Sequence, residues 1–312
     1  MIKVLQDPIR PPAPQGLVLA LGNFDGVHKG HRALLTETGR LAERLGAESG
    51  VVTFYPHTGV LLRPQNQVLY TEQQKQRLLE ETGRLAWLIR LTFDRNRMEQ
   101  SPDDFFYQVL RKQLDARGIV IGENFRFGCR GSGDAAKMQE LCRNAGVACT
   151  VVPQVMEDGA AVSSTRIRRL IRDGQMEEAA RLLTQPYRLE GTVVPGKHLG
   201  TRLQVPTINI FLESDQLVPR EGVYVSRTFA GSQGQASITN VGCNPTVGGE
   251  ALRTETHILD AGENLYGREV RVELLRFLRP EICFENTDAL QKQLMQDIKT
   301  AREYFESNNL GG

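Results

Sequence analysis

The sequence predicts two folds in series: an open parallel α/β sheet over residues 1–184 and an all-β barrel or sandwich with one closing helix over residues 185–312. Three observations predict this. Short, wholly apolar runs alternate with amphipathic stretches from residue 16 to about 184, the texture of strands buried on both faces by helices. After Gln185-Pro186 the runs shorten and are separated by Gly, Pro and Asn, the spacing of an all-β domain. A last stretch, 286–305, returns to helical periodicity.

The elements follow in order. "LVLALG" (17–22) reads as a buried parallel strand. "HRALLTETGRLAERLG" carries Leu34, Leu41, Ala42 and Leu45 at helical spacing, with Gly46 as its stop. "GVVTFYP" is a second strand, "TEQQKQRLLEETG" a helix and "AWLIRLTF" a strand. "SPDDFFYQVLRKQL" opens with Ser101 at a cap and Pro102 at the first helical position. "GIVIG" is a strand, and "DAAKMQELCRNAG" repeats Met138, Leu141, Cys142 and Ala145 on one helical face. "VACTVVP" closes the series. In the second half, "LEGTVVPG", "VPTINIF", "GVYVSRTF", "QASITNVG", "RTETHILD" and "REVRVELLRFL" read as strands of a small barrel or sandwich. The closing helix aligns Leu290, Leu294, Ile298, Ala301 and Phe305.

Composition removes several classes of function. The net charge of +1 gives no global case for a nucleic-acid or anionic-membrane partner, and only local patches such as "TRIRRLIR" are basic. Five cysteines, an odd number without a C-x-x-C pair, argue against a disulfide framework. Cys142, on an apolar helix face, reads as a small core residue. "MIKVLQDPIRPPAPQG" lacks the apolar stretch of a signal peptide, and no run approaches the roughly 18 apolar residues of a membrane span. The expected compartment is the cytoplasm, and self-association stays open.

Two of the chain's five histidines lie three residues apart in "GNFDGVHKGH" (22–31), between the first strand and the first helix. Ligands of open α/β sheets bind beyond the carboxyl ends of the strands, which is where this stretch falls. Gly22 and Gly26 admit close backbone approach, Gly30 opens the helix, and a helix N-terminus is an anion site. His28 and His31 are placed to hydrogen-bond phosphate oxygens as a phosphoanhydride breaks. A tight turn with a structural histidine is the plainer reading, but two histidines framed by three glycines favour function. A zinc site is the rival, yet no third ligand is spaced to complete it locally.

"LGNFDGVHKGH" resembles the H-x-G-H signature of the nucleotidyltransferase superfamily, in the form used by bacterial bifunctional riboflavin kinase/FAD synthetases. "VVTFYPH" (51–57), "GENFRFGCRGSGD" (122–134) and "VSSTRIR" (162–168) resemble further segments of that family, in the same order. The resemblance implies a Rossmann-like nucleotidyltransferase domain that adenylylates FMN to FAD. It implies ATP and phosphate contacts at Gly22, Phe24, Gly30, Ser164, Thr165 and Arg166, and a flavin or nucleotide site at His57, Asn124 and Phe127. Read from the residues alone, Ser163, Ser164 and Thr165 suit a helix cap, and Arg166 suits phosphate. "FYPHTGV" stands where the family more often has Glu-Pro-His-Pro.

In the second half, "GTVVPGKH" (191–198) is one residue short of a phosphate loop, with His198 in place of Ser or Thr, and no helix follows it. "VPTINI" (205–210) is the stronger signal. Thr207 and Asn209 offer two hard oxygens at i, i+2, on one face of a strand, a set suited to Mg²⁺. Taken alone, Thr and Asn at a strand end are commonly turn residues. "PTINI" is similar to the Pro-Thr-Ala-Asn element of flavokinases, and "GVYVSR", "NVGCNPTVGG", "RTETHILD" and "RPEICFENTDALQKQLMQDI" follow in that family's order. The resemblance implies a flavokinase barrel that phosphorylates riboflavin to FMN with Mg-ATP. Glu255 would be its base, Thr207 and Asn209 would engage the metal and nucleotide, and Gly196 and Lys197 would lie in its phosphate loop. Gln204-Val205 replace the family's usual Gly-Phe before Pro206, a change expected to touch the rate of the kinase more than its identity. Riboflavin, FMN and ATP are the expected partners, with no nucleic acid and no membrane. A nucleotidyltransferase with another acceptor, and a flavin-binding regulator with a decayed kinase half, are the competing readings.

Overall fold

The protein is described from a computed structural model, which covers residues 2–7, 12–58, 67–195, 207–211, 215–246, 249–259 and 265–308. By its internal contacts the chain divides into two compact units, Met1–Ser164 and Thr165–Gly312.

The first unit is built on a six-stranded sheet of order β1-β4-β3-β2-β5-β6. The strands are β1 (Lys3–Gln6), β2 (Leu17–Leu21), β3 (Glu48–Tyr55), β4 (Trp87–Thr92), β5 (Ala116–Gly122) and β6 (Ala148–Val152). Every neighbouring pair is parallel. All five residues of central β2 are buried, as its unbroken apolar run requires for a strand covered on both faces. Each buried Leu or Val there contributes about 1.5–3 kcal/mol of transfer free energy. β1 was not legible in the sequence: its four residues show no buried face, and parallel pairing with β4 alone defines it.

Helix α1 (Lys29–Leu45) buries Leu34, Leu35, Leu41 and Ala42 and ends at Gly46, whose φ of 59° is the left-handed conformation that a stop needs. Helix α2 (Glu72–Glu81) starts in a capping box between Thr71 and Gln74. After the short α3 (Arg95–Glu99), Ser101 Oγ accepts from the Asp104 N–H at 3.0 Å, with Pro102 next to it, as the sequence predicts. That helix differs from a regular one beyond Asp104. Phe105–Gln113 is wound as a π helix, whose wider turn keeps Phe105, Phe106, Val109 and Leu110 together in the core. Helix α4 (Ala135–Asn144) buries Met138, Leu141 and Cys142. A two-stranded hairpin, β7 (Met156–Glu157) with β8 (Ala160–Ala161), precedes α5 (Ser164–Arg172).

In the second unit, α6 (Met176–Leu183) buries Met176, Ala179, Leu182 and Leu183 and lies against β9 and β14, so α5 and α6 group with the β-rich part. The six strands close into a barrel of order β10-β13-β12-β11-β14-β9. They are β9 (Tyr187–Val194), β10 (Ile208–Phe211), β11 (Gly222–Phe229), β12 (Gly234–Thr246), β13 (Gly249–Ile258) and β14 (Glu269–Arg279). The barrel interior holds a hydroxyl ladder that the hydrophobic pattern did not announce. Ser226 meets Ser237 and Thr239, Thr228 meets Ser237, and Thr239 meets Thr256, each across 2.8 Å. A small closed barrel tapers, and short hydroxyl side chains that satisfy one another fit where longer apolar ones do not.

Helix α7 (Thr287–Ser307) is capped by Asn286. Its Ala301 and Phe305 pack with Val225, Ile238 and Leu275 on the outside of the barrel, while Leu290, Leu294 and Ile298 are half-buried. Asp297, on the same helix, is 4% exposed and accepts from Arg279 Nη2 at 2.7 Å.

Candidate active site

The turn after β2 is held in a strained shape by its surroundings. Phe24 and Val27 adopt φ of 52° and 43°, left-handed values that cost a residue with a Cβ about 1–2 kcal/mol. Both side chains are fully buried, so packing enforces the strain, as is common where a loop must present groups to a ligand. The Asp25 carboxylate is buried and accepts from the Leu69 N–H at 2.9 Å. The Asp25 main-chain carbonyl accepts from Ser164 Oγ at 2.8 Å. The turn is thereby tied to two distant segments.

His28 caps α1: its Nδ1 accepts from the His31 N–H across a long 3.4 Å. With Nδ1 an acceptor, a neutral His28 carries its proton on Nε2. The rings of His28 and His31 are stacked with centroids 3.7 Å apart, and Phe24 lies 5.1 Å from His31. Gly30 makes this possible, because a Cβ there would come within 3.2 Å of the His28 ring. At Gly22 a Cβ would meet the Phe24 ring at 3.3 Å.

His31 is held well below the usual histidine range, first by burial and then by the positive fields of His28, Lys75 and His57. It is neutral at neutral pH, and its Nδ1 is buried with no hydrogen bond among the described residues. Lys75 is a functional candidate the sequence reading missed. It lies on an otherwise ordinary amphipathic helix, yet it is 2% exposed. Its ammonium sits 2.6 Å from Glu72 and 3.4 Å from Thr53, whose hydroxyl in turn donates to the Asn23 carbonyl at 3.3 Å. Neutral and cationic donors gathered at the N-terminus of α1 suit a polyanion.

The other candidates of this half are placed as follows. His57 is buried just after β3. Asn124 is exposed after β5, with its Oδ1 3.1 Å from where a Cβ on Gly122 would stand. Phe127 is 7% exposed, belongs to the core cluster, and stacks on Phe125 at 5.6 Å. Ser164 joins the turn directly, as described. Thr165 and Arg166 fall in the second compact unit; Thr165 is exposed, and Arg166 Nη2 donates to Glu178 at 2.8 Å. Among the described residues no three His, Cys, Asp or Glu side chains converge as a metal-binding group.

The barrel builds a second constellation. Asn209 on β10 is the register partner of Glu255 on β13, and Glu255 is the partner of Asn240 on β12. Directly opposed residues of antiparallel strands share a face, so Asn209, Glu255 and Asn240 form one row. The next row, Ile210, Thr254 and Val241, is wholly buried and faces the barrel interior. Asn209 is 2% exposed, yet its Oδ1 has no hydrogen bond among the described residues. Such an orphaned acceptor costs about 1–3 kcal/mol unless a ligand supplies a donor or cation. Thr207 stands two residues earlier, half-buried. The pair gives hard oxygens of the kind Mg²⁺ takes. Gly196 and Lys197 lie outside the described residues, as do Gln204, Val205 and Pro206.

Comparison with known proteins decides the family. Residues 10–166 match the FAD synthetase family model, and residues 183–305 match that of riboflavin kinase. The bifunctional riboflavin kinase/FMN adenylyltransferase of Escherichia coli (strain K12) is 34% identical over 297 residues, 94% of this chain and 94% of that protein. That of Listeria monocytogenes is 33% identical over 295 residues, 92% of each chain. This chain belongs to the bifunctional riboflavin kinase/FMN adenylyltransferase family. It is an enzyme of flavin cofactor biosynthesis with both activities. A Streptococcus pneumoniae crystal structure described as a macrolide-efflux protein is 29% identical and superposes with a TM-score of 0.86 over 96% of this chain and 98% of its own. Among the described residues no helix of this bifunctional enzyme is long and apolar enough to cross a membrane.

Proposed function

We propose that the two reactions are divided between the halves of the chain, with adenylyl transfer in residues 1–184 and the kinase in 185–312. The observation that carries the kinase assignment is the register row in which Glu255 stands beside a buried Asn209 oxygen that lacks a partner. In the kinase, the ribityl 5′-hydroxyl attacks the γ-phosphorus of ATP and ADP leaves. Glu255 takes the hydroxyl proton, a task that asks for placement more than for an unusual acidity. Thr207 and Asn209 would hold Mg²⁺, which supplies charge neutralisation to the phosphates when bound. Gly196 and Lys197 are assigned to the phosphates of ATP.

In the first half, an oxygen of the FMN phosphate attacks the α-phosphorus of ATP, the α–β bridge breaks, and pyrophosphate leaves. The phosphate is already ionised, so no base is needed. His28 and His31, stacked at the N-terminus of α1, stabilise the charge that builds on the α-phosphoryl oxygens. A neutral His31 donates one hydrogen bond without adding a buried charge. Gly22, Phe24 and Gly30 shape the cradle. Ser164, Thr165 and Arg166 hold the remaining phosphates, the guanidinium of Arg166 by its charge and planar donor set. His57, Asn124 and Phe127 bound the flavin and nucleotide side, Phe127 by bracing the loop from the core. The cytoplasm is the compartment this reading assigns.

The test is one time course with purified protein, ATP and Mg²⁺, started in parallel from riboflavin and from FMN, resolving riboflavin, FMN and FAD. FAD is expected from both. Glu255→Ala should stop only the riboflavin start, and His28→Ala should stop FAD formation from both while FMN still accumulates from riboflavin. Conversion in neither start would overturn the reading.

A further inference from the structure

The row that places Glu255 has a third member with no role assigned so far. Asn240 Nδ2 donates to Glu281 Oε1 at 2.8 Å. An ionised carboxylate only accepts, so this bond fixes the amide: its NH₂ faces Glu281 and its Oδ1 faces away. That Oδ1 is buried and takes no hydrogen bond among the described residues. Gly242, two residues along the same strand face, leaves the Glu281 carboxylate room to lie against the strand, since a Cβ there would press on Glu281 Oε1. Two amide oxygens with unmet hydrogen-bonding capacity, on Asn209 and Asn240, therefore flank the base on adjacent strands. Each needs a donor or a cation, and the flavin substrate brings a chain of hydroxyl donors to this row.

We propose that Asn240, oriented by Glu281, binds the sugar-alcohol chain of the substrate: its Oδ1 accepts a hydrogen bond from a ribityl hydroxyl inside the reacting one. Asn240 is then a specificity residue for polyol-bearing flavins, and Glu281 its positioning residue. A site built to accept a substrate hydroxyl discriminates against the analogue that lacks it, because the buried acceptor is then left unpaired. The inference rests on Glu255 marking the kinase site.

The experiment uses the full chain and two substrates, riboflavin and a flavin with an ω-hydroxypentyl chain, which keeps only the reacting hydroxyl. Wild type should prefer riboflavin. Asn240→Ala should raise KM for riboflavin about tenfold with a smaller change in kcat, leave the hydroxypentyl flavin nearly unchanged, and so collapse the preference. Glu281→Ala should move the same way, and Glu281→Gln, which still offers Asn240 an acceptor, should restore the preference. The melting temperature of each variant serves as its folding control. Equal losses on both flavins, an unchanged preference, or a raised Mg²⁺ requirement in place of a raised riboflavin KM would overturn the assignment. Glu255→Ala, assayed alongside, separates the two failures: if it still phosphorylates riboflavin, the parent reading falls, whatever Asn240 does.

Discussion

The hydroxyl of Ser164 donates to the main-chain carbonyl of Asp25 across 2.8 Å, joining two segments 139 residues apart in sequence. The Asp25 side chain is occupied elsewhere, by the Leu69 N–H at 2.9 Å. The strained turn is thus clamped through both its backbone and its side chain. Ser164→Ala removes one clamp and leaves the carbonyl to find another donor, at a cost of about 1 kcal/mol. Conversion of FMN to FAD should fall about fivefold or more, with phosphorylation of riboflavin unchanged. Parallel steady-state assays of the two reactions check this.

Gly30 sets stability against activity. It lies inside α1, where Ala is favoured over Gly by about 1 kcal/mol. A Cβ at that position, however, would press to 3.2 Å against Nδ1 and Cε1 of His28, the ring that caps the helix and stacks on His31. Gly30→Ala should therefore hold or raise the melting temperature while cutting FAD synthesis at least tenfold. A thermal melt and an FMN-start assay on the same preparation decide it; equal losses in both would mean that the glycine serves folding alone.

Much of this was legible in the sequence, for physical reasons that differ by element. β2 could be read because burial on both faces leaves an unbroken apolar run, and α1 because its stripe, its glycine stop and its histidine pair are all local. The row of Asn209 and Glu255 is different. Its two members lie 46 positions apart, and only strand register brings them together, so the sequence offered the residues through a family resemblance and no local pattern offered the pairing. Lys75 and Asp297 were hidden for a related reason: charged residues on amphipathic helices look like solvated faces until tertiary structure supplies their partners. The hydroxyl ladder inside the barrel was invisible because alternating Ser and Thr read as the outer face of a strand.

His31 carries a pH prediction. Its folded-state pKa lies well below the ordinary value of about 6.5, chiefly through burial, with the positive neighbours His28, Lys75 and His57 adding to it. Below pH 6.5 the unfolded chain binds a proton at this residue that the native protein refuses. Stability from this group is therefore present above that pH and is lost as pH falls from about 6.5 toward the depressed folded value. His31→Gln should show a shallower loss of stability between pH 7 and pH 5 than the parent chain, measured by urea unfolding at each pH. A parallel decline in both proteins would show that His31 titrates normally.

Asp297 and Arg279 anchor the closing helix. The carboxylate accepts from Arg279 Nη2 at 2.7 Å and from Nε at 3.1 Å, and Gln293 donates to it at 2.9 Å. The side chains are only 5% and 15% exposed, so each charge depends on the other for compensation. Removing one partner from such a pair costs about 3 kcal/mol, because the remaining charge stays buried and unpaired. Asp297→Ala should lower the unfolding midpoint of the second unit sharply, and Asp297→Asn, which keeps one acceptor for the guanidinium, should cost less. Replacing both partners, Asp297→Leu with Arg279→Met, should recover part of the loss, since no unpaired charge then remains. That recovery separates an electrostatic anchor from a packing defect: if the double variant is no more stable than Asp297→Ala, the ion pair is not what holds α7 to the barrel.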